Sequence, residues 1–547
     1  MTGAGQGDGR ASLPRRIVLL SGSVGAGKTT LADNLVRRFG ATLLKTRDFL
    51  KSHAQHLQSD RGLLQDFGER LDKRTQGRWV CEDLIEALKP LDEGSVVILD
   101  AVRMLGQIRA VREAFGQLVF HVHLTADLDI LRRRYAGRGP SDVHELASYE
   151  AVQANRTERN VPKLARVADV VIETDRCTPE DVWIRVASHL GFFGREYLRL
   201  VDVLVGGQFG SEGKGQVAAY LAPEYELLVR VGGPNAGHKV WGKPVPYAFH
   251  QLPSGTRRCE ARLLIGAGAI INVETLLREI AECRVEHDRL SIDPQAMIIS
   301  AADRRREVQM VNRIGSTGQG VGAATARRIM GRGHNPKPKL ARDIPELKPF
   351  VRQGQQVLED AFRRRWRVLL EGTQGTGLSL YHGYYPHVTS RDTTVAGCLA
   401  EAGISATRVQ RVVMVCRTYP IRVQSPRQGT SGHMSQELGW EEIARRSGYT
   451  VEELRSAERT TTTNKQRRVA EFDWKLLRAA ASLNAPTDIA LTFVDYLSKE
   501  NTYAMRFEQL TLDTIRFVEE VERVASTPVT LVSTGFNLKS VIDRRMW

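Results

Sequence analysis

Apolar residues in this chain gather into short runs without polar alternation, and glycine clusters punctuate them. Ile17-Val18-Leu19-Leu20, Val96-Val97-Ile98-Leu99, Leu118-Val119-Phe120-His121-Val122 and Val170-Val171-Ile172 each lack the one-in-two polar position of a half-solvated strand. Such runs suit strands covered on both faces, as in a parallel sheet. The intervening segments carry helical spacing; Leu31, Leu35 and Val36 mark one face. Strands alternating with helices predict an α/β fold, a doubly wound parallel sheet. A further run, Val201 to Val205, opens a second such region. A chain of 547 residues exceeds what one core serves. The expected organisation is a polar tail over 1–14, a first domain over 15–190 and a second over 200–547, with Gly191-Phe192-Phe193-Gly194-Arg195 between the two.

Two of these runs end in phosphate chemistry. After the first comes Gly22-Ser23-Val24-Gly25-Ala26-Gly27-Lys28-Thr29, a P-loop (GxxxxGK[ST]) in its strand-loop-helix setting. Glycines let backbone N–H groups close on phosphate, Lys28 reaches the β and γ oxygens, and the Thr29 hydroxyl serves Mg²⁺. Asp100 ends the second run, where an acidic residue orients the metal or its water. Arg134 and Arg138 fall in a basic segment that resembles the arginine-bearing lid of small nucleoside and nucleotide kinases; a solvated basic helix is the alternative. The acceptor stays open, and so does a nucleotide-binding module without phosphotransfer.

The run at 201–205 leads into Gly207-Gln208-Phe209-Gly210-Ser211-Glu212-Gly213-Lys214-Gly215 and then Gly233-Pro234-Asn235-Ala236-Gly237-His238. Two closely spaced glycine turns carrying a lysine and a histidine suit phosphoryl transfer, which is mostly positioning and charge stabilisation.

Charge and cysteine content narrow the picture. The net charge of +15 is spread along the chain, its densest groups being Arg304-Arg305-Arg306 and Arg363-Arg364-Arg365-Trp366-Arg367. These read as solvated helix faces rather than a nucleic-acid patch. Six cysteines, far apart and without ligand spacing, read as reduced thiols. No apolar run approaches the ~20 residues that span a bilayer, so no membrane partner and a cytoplasmic location are expected.

From Val201 onward the chain resembles the adenylosuccinate synthetase family. The resemblance rests on the two glycine turns followed in order by Gly315-Ser316-Thr317-Gly318-Gln319-Gly320, Glu371-Gly372-Thr373-Gln374-Gly375-Thr376, His382 to Ser390, Thr460 to Arg468 and Thr492-Phe493-Val494-Asp495. It implies a ligase that joins L-aspartate to C6 of a purine nucleoside monophosphate with hydrolysis of a nucleoside triphosphate. The triphosphate is GTP, ATP or dATP, the cofactor is Mg²⁺, and the assembly is a homodimer.

Residue by residue, the resemblance implies that His238 stabilises the moving phosphoryl group and Lys214 holds phosphate. Ser211 and Gln374 join them in the catalytic set, and Ser211 and the Gly237 carbonyl face the metal. Asn235, Thr317, Gln374 and Thr389 take the monophosphate. Thr461, Thr462, Thr463, Arg467 and Arg468 take aspartate, and Gly210, Glu212, Gly213, Gly215, Asp495, Ser533 and Gly535 take the triphosphate. A further arginine that crosses to a neighbouring subunit has three candidates, Arg327, Arg328 and Arg332.

Two positions depart from the family. Ser211 stands where the usual form has an aspartate that binds Mg²⁺ and takes the purine N1 proton; a serine hydroxyl is a poor base without an activating partner. Serine here resembles the compact viral-type branch that converts dGMP to N6-succino-2-amino-2′-deoxyadenylate, which slightly favours a dGMP-type substrate over IMP. Phe493 replaces a lysine, which leaves ATP and dATP open beside GTP. The reading from another class is a catalytically degenerate purine-nucleotide sensor.

Overall fold

The computed structural model describes residues 16–53, 61–92, 94–137, 149–193, 198–242, 246–333, 337–426, 429–459 and 466–545. The chain forms two compact units, Met1–Arg195 and Glu196–Trp547.

In the first unit, strands β1 (Arg16–Gly22), β2 (Thr42–Lys45), β3 (Val96–Asp100), β4 (Val119–Thr125) and β5 (Val170–Glu173) form a five-stranded sheet in the order β2-β3-β1-β4-β5. Every pairing is parallel. Val18 and Leu20 enter one core with Leu31 and Leu35, while Ile17 and Leu19 enter another with Trp79, Val80 and Leu84. Helices cover both faces of β1, so from Ile17 onward the strand carries no polar position facing water. Each such side chain contributes ~1.5–3 kcal/mol by leaving water. Gly22 is required by crowding as well as conformation: its φ is 138°, and an added Cβ would lie 2.1 Å from the Leu124 carbonyl oxygen. The expected strands at Val96, Leu118 and Val170 are present, the second of them running on to Thr125. Strand β2 is an addition to the sequence reading. It is a four-residue edge strand of half-buried residues, too short to show periodicity.

The second unit is built on a nine-stranded sheet. Its strands are β6 (Val201–Gly206), β7 (Leu227–Arg230), β8 (Arg262–Ile265), β9 (Leu290–Ile292), β10 (Val368–Glu371), β11 (Val409–Arg417), β12 (Asp488–Thr492), β13 (Val529–Ser533) and β14 (Val541–Asp543). They lie in the order β9-β8-β7-β10-β6-β11-β12-β13-β14, all parallel except the last pair. Central β6 sends Val201, Val203 and Val205 into one core and Leu204 into the other. Its C-terminal end is flanked by those of β10 and β11, which gathers distant segments at one edge.

Candidate active site

In the second unit β6 stops at Gly206, and the helix Lys214–Leu221 begins after Gly213, which has a φ of 89°. Glu212 braces the connecting loop from within. Its Oε1 accepts the backbone N–H groups of Gln208 (3.1 Å) and Gly210 (2.7 Å), and its Oε2 pairs with Lys214 Nζ at 2.6 Å. Both side chains are 1% exposed. Glu212 and Lys214, expected at the triphosphate and its phosphate, are thus paired with each other. Two opposite charges out of water compensate each other. Gly215 follows, and a Cβ there would lie 2.7 Å from His238 Cβ, so the helix start abuts the catalytic candidate.

His238 opens the short strand His238–Val240 and is buried. Its Nδ1 lies 2.5 Å from Glu371 Oε1, which also receives Arg230 Nη1 (2.7 Å) and the Ser254 hydroxyl (2.5 Å). Ser254 N donates to the other oxygen at 2.7 Å. Burial alone would push the Glu371 carboxyl up, but Arg230, His238 and Ser254 overcome it and hold the group at about 2. Burial, then the Arg230 charge, lowers His238 to about 4. The ring is therefore neutral near pH 7, with Nδ1–H donating to Glu371. His238 Nε2 is buried and without a hydrogen-bond partner, an orphan that an incoming group satisfies.

Two polar pairs stand among the monophosphate candidates. Thr317 Oγ1 donates to Asn235 Oδ1 at 3.0 Å, and Gln374 Nε2 donates to Thr389 Oγ1 at 2.6 Å. Gln374 has a φ of 65° and backs onto the glycine loop, since a Cβ on Gly210 would meet its Cα at 2.9 Å. Thr461, Thr462 and Thr463 lie outside the described residues. Arg467 and Arg468, expected to take aspartate, pair with carboxylates of the chain, one buried and one exposed. Arg467 Nη1 donates to Glu458 (2.9 Å), which also holds Arg417 Nη2 (2.7 Å) and the Tyr496 hydroxyl (3.0 Å). Arg468 bonds Glu437 (3.0 Å), Ser431 Oγ and the Gly432 carbonyl (both 2.8 Å). Of the three arginines considered for a neighbouring subunit, Arg327 is fastened to Asp303 at 2.7 Å, and Arg328 and Arg332 donate to backbone carbonyls.

The triphosphate-base candidates converge from two chain segments. Thr492 Oγ1 donates to the Glu212 carbonyl at 2.6 Å, tying the end of β12 to the glycine loop. Asp495 is buried, with Oδ2 accepting the Tyr449 hydroxyl (3.1 Å) and Oδ1 lacking a partner. Burial pushes its carboxyl up to about 7. Phe493 lies under the Arg417 guanidinium (3.9 Å) and edge-on to Phe536 (5.6 Å), which meets Trp241 (5.1 Å). Ser533 Oγ donates to the Gly535 carbonyl at 3.0 Å, shaping the turn before Phe536. Arg230, Ser254, Glu371, Arg417, Phe536 and Trp241 escaped the sequence reading. The available signals were a charged residue ending each of two apolar strands, β7 and β10, and an aromatic residue after a glycine turn.

At Ser211 the structure offers a half-buried serine whose backbone oxygen accepts Arg417 Nη1 at 3.2 Å. With the Gly237 carbonyl it supplies only neutral oxygens. Among the described residues no three or more His, Cys, Asp or Glu side chains form a metal cage. The donor set therefore fits a Mg²⁺ that arrives with phosphate oxygens as part of its shell.

The first unit encloses a cavity of about 780 Å³ lined by Val24 to Leu31, Asp100 and Arg134 among others. Lys28 Nζ donates to the Gly22 (2.6 Å) and Ser23 (3.0 Å) carbonyls, closing the phosphate loop on itself. Gly25 and Gly27 both have positive φ. Asp100 Oδ1 is buried without a partner, and with the Thr29 hydroxyl it makes a hard-oxygen set that fits Mg²⁺. Arg134 bonds the Thr174 hydroxyl (2.8 Å) and carbonyl (2.9 Å); it is held beside the loop, not free on a lid. Arg138 lies outside the described residues. Behind the loop, Ser21 Oγ sits 2.7 Å from His121 Nε2 and 2.8 Å from His123 Nδ1, and burial lowers both imidazoles to about 4.

A parallel sheet whose central strand feeds a glycine loop, facing a buried histidine with one unsatisfied nitrogen, defines a nucleotide-dependent enzyme of the α/β class. The family model described as adenylosuccinate synthetase matches residues 203–344 and 337–503, and the one described as AAA domain matches residues 18–159. Adenylosuccinate synthetases of Pyrococcus horikoshii and Methanocaldococcus jannaschii are 38% and 37% identical over 63% of this chain and 98% and 96% of their own lengths. Among solved structures, succinoaminodeoxyadenylate synthetase of cyanophage S-2L, bound to dGMP and dATP as an energy donor, is similar at 26% identity and TM-score 0.53, over 63% of this chain and 96% of its own. A fully ligated adenylosuccinate synthetase from Plasmodium falciparum shares the fold at 21% identity and TM-score 0.55, over 63% of this chain and all of its own.

The chain belongs to the adenylosuccinate synthetase family, C–N ligases that use aspartate, an IMP-like monophosphate and a nucleoside triphosphate. It carries an additional N-terminal P-loop unit of kinase-like class.

Proposed function

We propose that the second unit joins L-aspartate to C6 of a 2-aminopurine nucleoside monophosphate of the dGMP type, with a triphosphate and Mg²⁺. Ser211 carries this reading. A neutral hydroxyl stands where the common mechanism needs a carboxylate base, and among the described residues no other carboxylate bonds the loop from outside; Glu212 is committed to Lys214 and two backbone amides. The dGMP held by the cyanophage relative supports the same choice. A second reading, adenylosuccinate formation from IMP, is favoured by the archaeal relatives.

In either case the chain's own residues divide the work in the same way. Glu371 fixes the His238 tautomer and aims Nε2 at the transferring phosphoryl group. When phosphate is bound, a proton taken up from solvent at Nε2, favoured by the phosphate charge and by Glu371, turns the orphan acceptor into a donor where charge develops. Asn235, Thr317, Gln374 and Thr389 read the monophosphate by neutral hydrogen bonds, and Asp495 reads the base of the triphosphate. Mg²⁺, when bound, neutralises phosphate charge. The first unit is a P-loop phosphotransferase; Lys28, Thr29 and Asp100 sit on its cavity.

The test is a matrix of IMP, dIMP, GMP and dGMP against GTP, ATP and dATP with aspartate, read by mass spectrometry for the succinyl adduct. Guanine-type adducts with little from IMP are expected. Efficient turnover of IMP with dGMP and GMP inert would replace this reading with the second.

A further inference from the structure

Three half-buried aromatic rings, Phe493, Phe536 and Trp241, form a row beside the phosphate loop of the second unit. At one end Phe493 borders the loop itself, since a Cβ on Gly213 would lie 3.5 Å from its ring. At the other end Trp241 tilts onto Phe536 at 42°. The strand His238–Val240 reads buried, exposed, buried, so Trp241, one residue on, falls on the outward face with Lys239. Lys239 Nζ lies 4.3 Å from the centre of the indole. Neither Phe536 nor Trp241 belongs to a hydrophobic core of this unit. Two large rings held off the core and only half covered have apolar surface left for a guest.

Each end of the row has an unsatisfied polar atom nearby in the chain or through a bond. Asp495, two residues after Phe493, is 2% exposed with Oδ1 unpartnered, and Gln216, 7% exposed, has Nε2 unpartnered. Gln216 Oε1 accepts the Trp241 backbone N–H at 3.0 Å, which fixes the orientation of the amide. The same bond joins Trp241 to the helix Lys214–Leu221 that starts at the phosphate loop. Buried polar groups left without partners inside the protein are satisfied by what binds there. A guest that meets both atoms carries a donor for Asp495 and an acceptor oxygen for Gln216, and one that also meets the rings carries a flat face. A nucleotide combines all three.

We infer that Trp241 is a binding residue for the nucleoside triphosphate of the ligation reaction, its indole stacking on the base with Phe536 as the wall behind it. The inference rests on the reading of Asp495 as the group that reads that base. Stacking and hydrogen bonding then divide the recognition. Every base has a π face, so the indole adds affinity without choosing among bases. The choice stays with the directional contacts of Asp495. The backbone bond to Gln216 sets where the indole starts from, and the Lys239 cation over one part of its face holds the ring's tilt.

The experiment measures initial ligation rates on the full chain with aspartate, Mg²⁺ and the monophosphate that the substrate matrix identifies, varying each triphosphate that supports the reaction. Ligation reports the second unit alone, whatever the first unit binds. Trp241→Ala is expected to raise KM for every such triphosphate by roughly ten-fold or more, with KM for the monophosphate and for aspartate within about two-fold of the parent. Trp241→Phe, which keeps an aromatic face, is expected to recover most of the loss. Tripolyphosphate, a competitor without a base, is expected to inhibit the parent and Trp241→Ala with Ki values within about two-fold of each other. An unchanged KM for the triphosphates would overturn the inference. So would a Ki for tripolyphosphate that rises as much as their KM, which would make the indole packing that shapes the phosphate loop. Asp495→Ala separates the two readings: a rise in its triphosphate KM with Trp241→Ala silent removes Trp241 and leaves the base site standing, whereas silence in both variants removes the base site as well.

Discussion

Around His238 the ring's state is set by three buried groups packed behind it. Arg230 and Ser254 keep Glu371 ionised, and Glu371 keeps one imidazole nitrogen occupied so that the other is offered. His238→Ala is expected to lower turnover at least ~10²-fold while the monophosphate Kd stays close to the parent value, because the contact is made mainly as charge develops; phosphate release and calorimetry measure the two. An equal loss in both would make His238 a ground-state contact. Ser211→Asp is expected to cut adduct formation from guanine-type monophosphates and to restore part of the IMP reaction, read by the same mass-spectrometric matrix. These two positions also show what the sequence made legible. Ser211 and His238 lie in contiguous glycine motifs whose spacing speaks for itself, whereas positions 230, 238, 254 and 371 share no spacing at all. Only the side-by-side parallel pairing of β7 and β10, which sets Arg230 in register with Glu371, brings that set together, and no window along the chain contains it.

Among the elements, β1 shows why an uninterrupted apolar run was readable: helices cover both its faces, so nothing along it needs to be polar. The exception is Ser21, which bridges His121 and His123 of β4. Both imidazoles fall from 6.5 to about 4 on folding, so the unfolded chain binds more protons between those values and stability declines as pH drops through that window. The two rings interact and titrate as a pair. The unfolding transition whose upward shift by ATP is lost in Lys28→Ala, assigned thereby to the first unit, is expected to lose midpoint temperature from pH 6.5 to 4. His123→Asn should flatten that loss, and a flat profile in the parent chain would contradict the assignment of neutral rings. In the second unit, Glu458 joins Arg417 to the strand Arg467–Ala470. Glu458→Ala strands a guanidinium that is 1% exposed and is expected to cost about 3–5 kcal/mol, measurable by denaturant unfolding.

Over the whole molecule, two sheets each carry their own glycine loop and their own lysine, Lys28 and Lys214. Lys28→Ala is expected to abolish phosphotransfer by the first unit and to leave ligation intact when monophosphate is supplied directly; loss of both in a folded protein would show that the first unit controls the second. The two densest basic groups behind the net charge of +15 take different forms. Arg304, Arg305 and Arg306 are exposed on one helix, and Arg364 lies over Trp366 while Arg363 and Arg367 pair with Asp360 and Asp202. None of the described helices is long and apolar enough to cross a membrane. Among the described cysteines all six are free thiols. What composition could not convey was the cavity chemistry, because the charges that matter there are few and are defined by which neighbours have already been satisfied.

Asp495 converts burial into a form of arithmetic. A carboxyl that titrates at about 7 divides its time near neutrality between two hydrogen-bonding identities. The anion offers two acceptors, the complement of the guanine N1–H and 2-amino pair; the acid offers one donor and one acceptor, the complement of adenine N1 and its 6-amino group. With Asp495 in its proposed role of reading the triphosphate base, fuel choice is expected to follow acidity, alkaline solution favouring GTP and acid solution favouring ATP or dATP. Because the ratio of kcat/KM for GTP to that for ATP cancels every group common to both reactions, His238 included, its rise between pH 6 and 8 isolates this one carboxyl. Asp495→Asn, which presents a donor and an acceptor at every pH, should hold the ratio level.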